Sequence, residues 1–362
     1  MVIFSTIDFN FPYSQRPQHL ARAFALDGTL CFYISPSSGY DAFESFGMPM
    51  PNLCVTDQLQ LVYEQLDKPV VIVVSTDNRI TPTWVTTLLN WTPYVIYDYI
   101  DHIHPAISMV DIPPERYEAH RMILSDERIT VSASADSLFA EVLRFRTKNC
   151  LLATNGVFVE DSNTTRGHAG LSENYLQILA RKRPIVGYFG ALASWFDYAL
   201  VVQIAQMRPH LSFVLIGPDY DGSSANSIRQ SARCLDNLHL IGPVPYVDLC
   251  SYAAWFDVAL IPFVLNDITE ATSPLKLFEY FALGLPVVST DLPECRKYER
   301  VLIGRGSSDF SEKIDAALPL RSSEEYRTWA LKEARANSWS AKAKQILDEQ
   351  VASRAVEPAD RR

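Results

Sequence analysis

TSPLKLFEYFALGLPVV, residues 272–288, reads as a helix feeding a buried strand. Ser273 suits an N-cap, Pro274 the first helical position and Gly284 the C-cap, and Pro286 stops further helix. Between them Leu275, Leu277, Phe278, Tyr280, Phe281, Ala282 and Leu283 leave almost no polar face, the pattern of a buried helix. Lys276 and Glu279 break that pattern, three residues apart and therefore on one face. A lysine in the first turn is also opposed by the helix macrodipole. Two readings follow. The pair is a surface ion pair worth roughly 0.2–0.5 kcal/mol. Alternatively, an anion docks on the amides of the helix start and Lys276 answers its charge. The apolar neighbours favour the second.

Working outward, short apolar runs alternate with helical patterns along all 362 residues, a length for which two domains are expected. Strands are expected at 2–6, 30–34, 70–75, 94–98, 129–132 and 150–154, with helices at 15–26, 82–90, 113–125 and 134–147. Many of these strands are β-branched and apolar on both faces, as in a covered parallel sheet. The polar, glycine-containing segment 155–183 reads as a linker. The pattern then restarts, with strands at 184–190, 212–217, 238–242, 257–263, 286–290 and 301–304. Helices fit 196–207, 222–235, 246–254, 274–283 and 322–336. The expected organisation is an α/β chain with an N-terminal domain 1–160, a linker 161–183 and a C-terminal domain 184–339. A closing helix, 340–362, would cross back onto the first domain. Two such domains in series favour a ligand in the cleft between them, at the C-terminal ends of their strands.

Bulk composition narrows the chemistry. With 48% hydrophobic and 20% charged residues the chain reads as soluble and globular, and no apolar run reaches membrane-span length. MVIFSTIDFNF at the N-terminus lacks a basic region and a cleavage site, so a first strand and a cytoplasmic protein are expected. A formal net charge of −10 argues against general nucleic-acid binding. Cysteines 31, 54, 150, 234, 250 and 295 show no CxxC spacing, so they are expected to be buried and reduced. His102 and His104 lack a third ligand in view, and no metal is expected. The P-loop, the GxSxG elbow, HExxH and a GxGxxG after the first strand are all absent from the sequence.

What remains are loops after strands in the second half: Gly187 and Gly190, then Gly217-Pro218-Asp219, then Gly242-Pro243-Val244-Pro245-Tyr246. Each allows a ligand close to the backbone, although each is also ordinary α/β punctuation. Together with SPLKLFEYFALGLPVV, several stretches resemble GT-B glycosyltransferases of the family-4 kind, especially the bacterial teichuronic-acid type. They are RPQHLARAFA (16–25), YDYID (97–101), ATNGVF (153–158), GYFGALASWFDY (187–198), FVLIGPD (213–219), HLIGPVPYVDLCSYAAWFDVALIPF (239–263) and NSWSAKAKQIL (337–347).

The resemblance implies two facing Rossmann-like domains with parallel sheets and an interdomain cleft. It implies transfer of a sugar from a nucleoside-diphosphate donor (UDP-, GDP- or dTDP-linked) to an acceptor hydroxyl, with retention and no cofactor. Lys276 and the amides near Thr272, Ser273, Pro274 and Leu275 would hold the diphosphate, and Glu279 the ribose. Val244, Pro245 and Tyr246 would receive the base, and Gly190 with Ala191 would admit the phosphates. Gly217, Pro218 and Asp219 would complete the donor side. Arg16, His19, Asp98, Asp101 and His102 would meet the acceptor, with Asp101 or His102 positioning or deprotonating it. A saccharide or lipid-linked acceptor for bacterial surface polysaccharide, with peripheral membrane contact, is part of the same implication.

Two departures stand out. Many relatives carry a glutamate eight positions before Glu279, where this chain has Ala271 beside Glu270, and no basic residue lies in 191–198. A nucleotide-sugar epimerase and a non-catalytic sugar-nucleotide-binding protein remain alternatives at this level, and a dehydrogenase is a remote third.

Overall fold

A computed structural model describes residues 1–41, 45–108, 110–162, 166–222 and 225–355. Parts of three expected elements lie outside the described residues: 163–165 of the linker, 223–224 of the helix at 222–235, and 356–362 of the closing helix. The chain divides into two compact units. One comprises Met1–Asn155, Ala271–Ser273 and the chain from Trp339 onward; the other comprises Gly156–Glu270 and Pro274–Ser338.

The first unit holds β1 (Val2–Phe4), β2 (Cys31–Ile34), β3 (Phe46–Met50), β4 (Leu53–Thr56), β5 (Val71–Val74), β6 (Val95–Tyr99), β7 (Ile129–Ala133) and β8 (Cys150–Leu152). They form one sheet in the order β3-β4-β2-β1-β5-β6-β7-β8. Every neighbouring pair is parallel except β3 with β4. β5, β6 and β7 are buried at every position, so both faces are covered, as their unbroken apolar runs require. The helices Arg16–Leu26 and Trp339–Ala355 pack on each other.

The second unit holds β9 (Ile185–Phe189), β10 (Ser212–Ile216), β11 (Leu238–Gly242), β12 (Val258–Ile261), β13 (Val287–Ser289) and β14 (Leu302–Ile303). All pairs are parallel, in the order β11-β10-β9-β12-β13-β14. This is the doubly wound arrangement in which the strand order reverses between the first strand and the fourth. In such folds ligands bind outside the strand C-termini at the reversal, which here falls between β9 and β12.

The quoted stretch forms the helix Leu275–Ala282 and then β13. Leu277, Phe278, Tyr280 and Phe281 are buried, each of the apolar ones contributing roughly 1.5–3 kcal/mol. Gly284, at φ +64, ends the helix. Its amide donates to Phe281 O and that of Leu285 to Tyr280 O, both at 2.9 Å, which closes a Schellman cap.

Several expectations need correction. The segment 161–183 carries a helix, Glu173–Ala180, capped by Ser172 and anchored by buried Tyr175, whose hydroxyl donates to Tyr252 O at 2.8 Å. Polarity on one side of that short helix conceals the apolar face. β3 and β4 were not expected, because FGMPM carries a glycine and a proline that an edge strand tolerates. The helix Gly306–Ala317, which opens on Gly-Ser-Ser, was not among the expected elements. The helix expected at 134–147 is only Asp136–Val142. Beyond it Arg146 turns back and donates to the carbonyls of Leu124 at 2.8 Å and Asp126 at 2.7 Å. All six cysteines are free, but only Cys31 and Cys295 are buried, and Cys234 is exposed.

Candidate functional site

In the second unit the first turn of the helix Leu275–Ala282 is set by Pro274, which acts as N-cap without a side-chain capping bond. Ser273 does not cap this helix. Its hydroxyl accepts the Asn155 amide at 3.2 Å and its carbonyl accepts Asn155 Nδ2 at 2.6 Å, both within the first unit. Thr272 likewise belongs to the first unit, where its hydroxyl lies 3.5 Å from Asp101 Oδ1. Of the residues expected to hold a diphosphate, Pro274, Leu275 and Lys276 therefore sit in the second unit, while Thr272 and Ser273 are tied into the first.

Lys276 is half-buried. Its Nζ lies 5.0 Å from the ring centre of Phe263, just after β12, and 5.4 Å from that of Tyr188, on β9. The ammonium thus stands at the strand-order reversal. Among the described residues it makes no hydrogen bond and no ion pair, so the expected alternative of a Lys276–Glu279 surface pair does not form. Burial pushes the ammonium down to about 8, opposed by Glu279 and Cys295. Burial also raises the Glu279 carboxyl, opposed by Tyr246 and Lys276. Opposite ions that were well paired would hold each other charged; here desolvation wins at both.

Glu279 accepts the Tyr246 hydroxyl at 2.8 Å. The sequence assigned Tyr246 to a nucleotide base through its backbone, and this orienting bond was missed. Val244 is buried and Pro245 caps the helix Tyr246–Ala253.

The loops after β9 and β10 explain their glycines. Gly190 has φ +138, and a Cβ there would stand 2.8 Å from Lys276 Cε. Gly217 has φ +152, and a Cβ there would come within 1.9 Å of Gly190 O. The two loops are stitched together, with the Gly190 amide donating to Ile216 O at 2.9 Å and that of Gly217 to Gly242 O at 2.8 Å. Ala191 O accepts the Tyr188 hydroxyl at 2.9 Å, and Pro218 O accepts the Leu192 amide at 2.8 Å. Asp219 accepts the Gly222 amide at 3.2 Å and lies 3.6 Å from Arg229.

In the first unit, three residues expected to meet an acceptor are committed elsewhere. Arg16 and Asp98 form a buried two-bond ion pair at 2.8 and 2.9 Å. Arg16 also donates to Thr154 O at 3.1 Å and stacks over Trp339 at 5.8 Å. His19 is buried and stacked on the same Trp339 at 5.0 Å. These contacts join the helices Arg16–Leu26 and Trp339–Ala355 to the sheet. Asp101 and His102, just beyond β6, are the half-exposed members of the set. Burial pushes the Asp101 carboxyl up to about 7, opposed by Thr272 and Arg16.

Behind His102 lies a polar chain the sequence reading did not find. Tyr97 and Tyr99 share one face of β6, and that two-residue spacing was the available signal. Tyr99 donates to Glu141 at 2.6 Å and lies 3.2 Å from His102 Nδ1, and Tyr97 lies 2.9 Å from His120 Nδ1. Arg116 donates to the Tyr97 hydroxyl at 2.9 Å. Ala271 is buried in the core of this unit, and Glu270 is exposed. Among the described residues no group of three or more His, Cys, Asp or Glu comes together as a metal site, and no helix is long and apolar enough to cross a membrane.

Residues 183–318, which lie in the second unit except for Ala271–Ser273, match the family described as glycosyl transferases group 1. A Bacillus subtilis (strain 168) protein named as a teichuronic acid biosynthesis glycosyltransferase is 27% identical over 172 residues, 46% of this chain. The match spans 43% of that relative's length. Sucrose-phosphate synthase of Thermosynechococcus elongatus superposes with a TM-score of 0.74 at 13% identity, covering 98% of this chain and 99% of that one. The Anabaena protein HepE, in complex with UDP and glucose, gives 0.65 at 12% identity, covering 97% and 99%. The fold is that of the GT-B glycosyltransferases.

Proposed function

We propose that the chain is a glycosyltransferase that moves a sugar from a nucleoside-diphosphate donor to an acceptor hydroxyl. The observation that carries this reading is the Lys276 ammonium: half-buried, walled by Phe263 and Tyr188, and without an ion-pair partner among the described residues. Beside it are the Leu275 and Lys276 amides of a helix start and the tight Gly190 turn. A diphosphate supplies the missing charge.

The acceptor oxygen forms a bond to the anomeric carbon while the bond from that carbon to the donor's β-phosphate oxygen breaks. The diphosphate leaves with the electron pair, the acceptor's hydroxyl proton passes to Asp101 or His102, and Lys276 and the amides stabilise the negative charge that grows beside them in the transition state. Glu279, held by Tyr246, takes the ribose hydroxyls. The first unit supplies the acceptor side through Asp101 and His102. Retention of configuration, turnover without a divalent metal or other cofactor, and a place in bacterial surface polysaccharide synthesis belong to the same proposal. The domain match, the name of the Bacillus relative and the UDP complex of the Anabaena protein support it.

A thermal-shift panel of UDP-, GDP- and dTDP-sugars tests donor binding. A ligand at 100 times its dissociation constant adds roughly 2.7 kcal/mol. Lys276→Ala is expected to lower transfer by roughly 100-fold or more, and EDTA to leave it intact. Near-normal transfer by the variant would reject the reading, and abolition by EDTA would reject the metal-independent mechanism.

A further inference from the structure

We propose that Tyr99 and Glu141 lock His102 in the tautomer protonated on Nδ1, so that its Nε2 is presented as a hydrogen-bond acceptor to a substrate hydroxyl. The hydroxyl belongs to a sugar or sugar-linked acceptor, so this part rests on the glycosyltransferase reading; the tautomer does not.

The argument is one of counting protons. Tyr99 has one hydroxyl proton, and its shortest contact is Glu141 Oε2 at 2.6 Å. Glu141 is held down to about 2, first by its contact with His120, against burial, and then by Tyr99. An ionised carboxylate accepts only, so the Tyr99 proton goes to Glu141 and its oxygen is left as an acceptor. His102 Nδ1, 3.2 Å from that oxygen, must then be the donor, and Glu141 Oε2 beyond it is 3.7 Å away.

The other arm of the network runs the same way. Arg116 donates to the Tyr97 hydroxyl, which in turn donates a hydrogen bond to His120 Nδ1 at 2.9 Å. That leaves His120 Nε2 carrying a proton 3.6 Å from Glu141 Oε1. Burial depresses His120 and keeps it neutral, as this chain requires. Both arms point their protons at Glu141, and no donor is opposed by a donor.

Among the described residues the other His102 nitrogen, Nε2, makes no hydrogen bond. The imidazole is 35% exposed and lies just beyond the C-terminal end of β6. The charged and titratable groups facing it are Tyr99 on β6, Glu141 on the helix Asp136–Val142, His120 on the helix Pro114–Ser125, and its neighbour Asp101. A solvated neutral histidine side chain favours its proton on Nε2, so the Nδ1 form is a tautomer that its hydrogen bond in the fold imposes. Tyr99 and Glu141 are positioning residues in this scheme.

Long-range 1H–15N spectra of the 15N-labelled full chain, with His102→Ala to assign the resonance, read the tautomer without any substrate. Wild type is expected in the Nδ1–H form, and Tyr99→Phe, which keeps the ring and deletes the hydroxyl, in the Nε2–H form. In transfer assays Tyr99→Phe and His102→Ala are each expected to lower kcat roughly tenfold, the scale of one lost hydrogen bond, with the donor KM unchanged. An Nε2–H wild type would overturn the lock. A Tyr99→Phe protein with the switched tautomer and full kcat would overturn the hydroxyl contact. Absence of binding to every nucleoside-diphosphate sugar would overturn the transferase reading and the hydroxyl contact together, while the tautomer result would stand by itself.

Discussion

Replacing Lys276 with methionine should make the ligand-free protein more stable while removing donor binding. Burial moves this lysine from the ordinary 10.5 to about 8. That gap corresponds to roughly 3 kcal/mol for holding the charge in place. The rings of Phe263 and Tyr188, at 5.0 and 5.4 Å, return about 1–2 kcal/mol of it. Methionine fills most of the same space without the charge, so a net gain of roughly 1–2 kcal/mol is expected at pH 7. For a domain of this size that is a rise in Tm of roughly 2–8 °C.

The sign sets the pH dependence. The folded lysine binds its proton more weakly than the unfolded one, so the penalty is complete below about pH 8 and vanishes above 10.5. Wild-type stability therefore gains from this residue as pH rises through that window, and the advantage of Lys276→Met shrinks. Urea unfolding of both proteins at pH 7 and pH 10 measures it. Titration calorimetry with a UDP-sugar in buffers of different ionisation heat adds a second measure. Near pH 8 wild type should take up about half a proton on binding, because the diphosphate restores the charge. A variant less stable than wild type at pH 7, or equally advantaged at both pH values, would refute the claim that the ammonium is held there at a cost.

Three further outcomes are expected. Gly190→Ala should lose donor binding with a stability loss of roughly 1–3 kcal/mol, from a strained backbone and a Cβ 2.8 Å from Lys276 Cε. Gly217→Ala should lose more, because its Cβ meets a backbone oxygen at 1.9 Å and no rotamer change relieves that; thermal unfolding and UDP-sugar titration distinguish the two. Arg16→Met or Asp98→Asn alone should cost roughly 3–5 kcal/mol by stranding a buried charge, and Arg16→Met with Asp98→Leu should recover much of it. If either single variant kept wild-type stability and raised only the acceptor KM, Arg16 and Asp98 would be substrate contacts after all.

The sequence determined what depends on neighbours in the chain. Apolar runs of strand length alternating with helical patterns located twelve of the fourteen strands among the described residues, and the two missed ones form the edge hairpin. Gly284 and Pro286 marked the end of the helix, and a lysine inside an apolar helix marked the proposed anion site, because a stranded charge is conspicuous against the periodicity of its own element. Tertiary structure decided how the polar side chains were spent. Arg16 meets Asp98 across 82 residues, Tyr99 meets Glu141 across 42, and Ser273 meets Asn155 across 118. Ser273 has the composition of an N-cap, yet its hydroxyl serves another strand's loop. Helical and strand periods report which face of an element is dry. They carry no information about which distant donor will be brought to a given acceptor, since that follows from the order in which the strands are laid side by side.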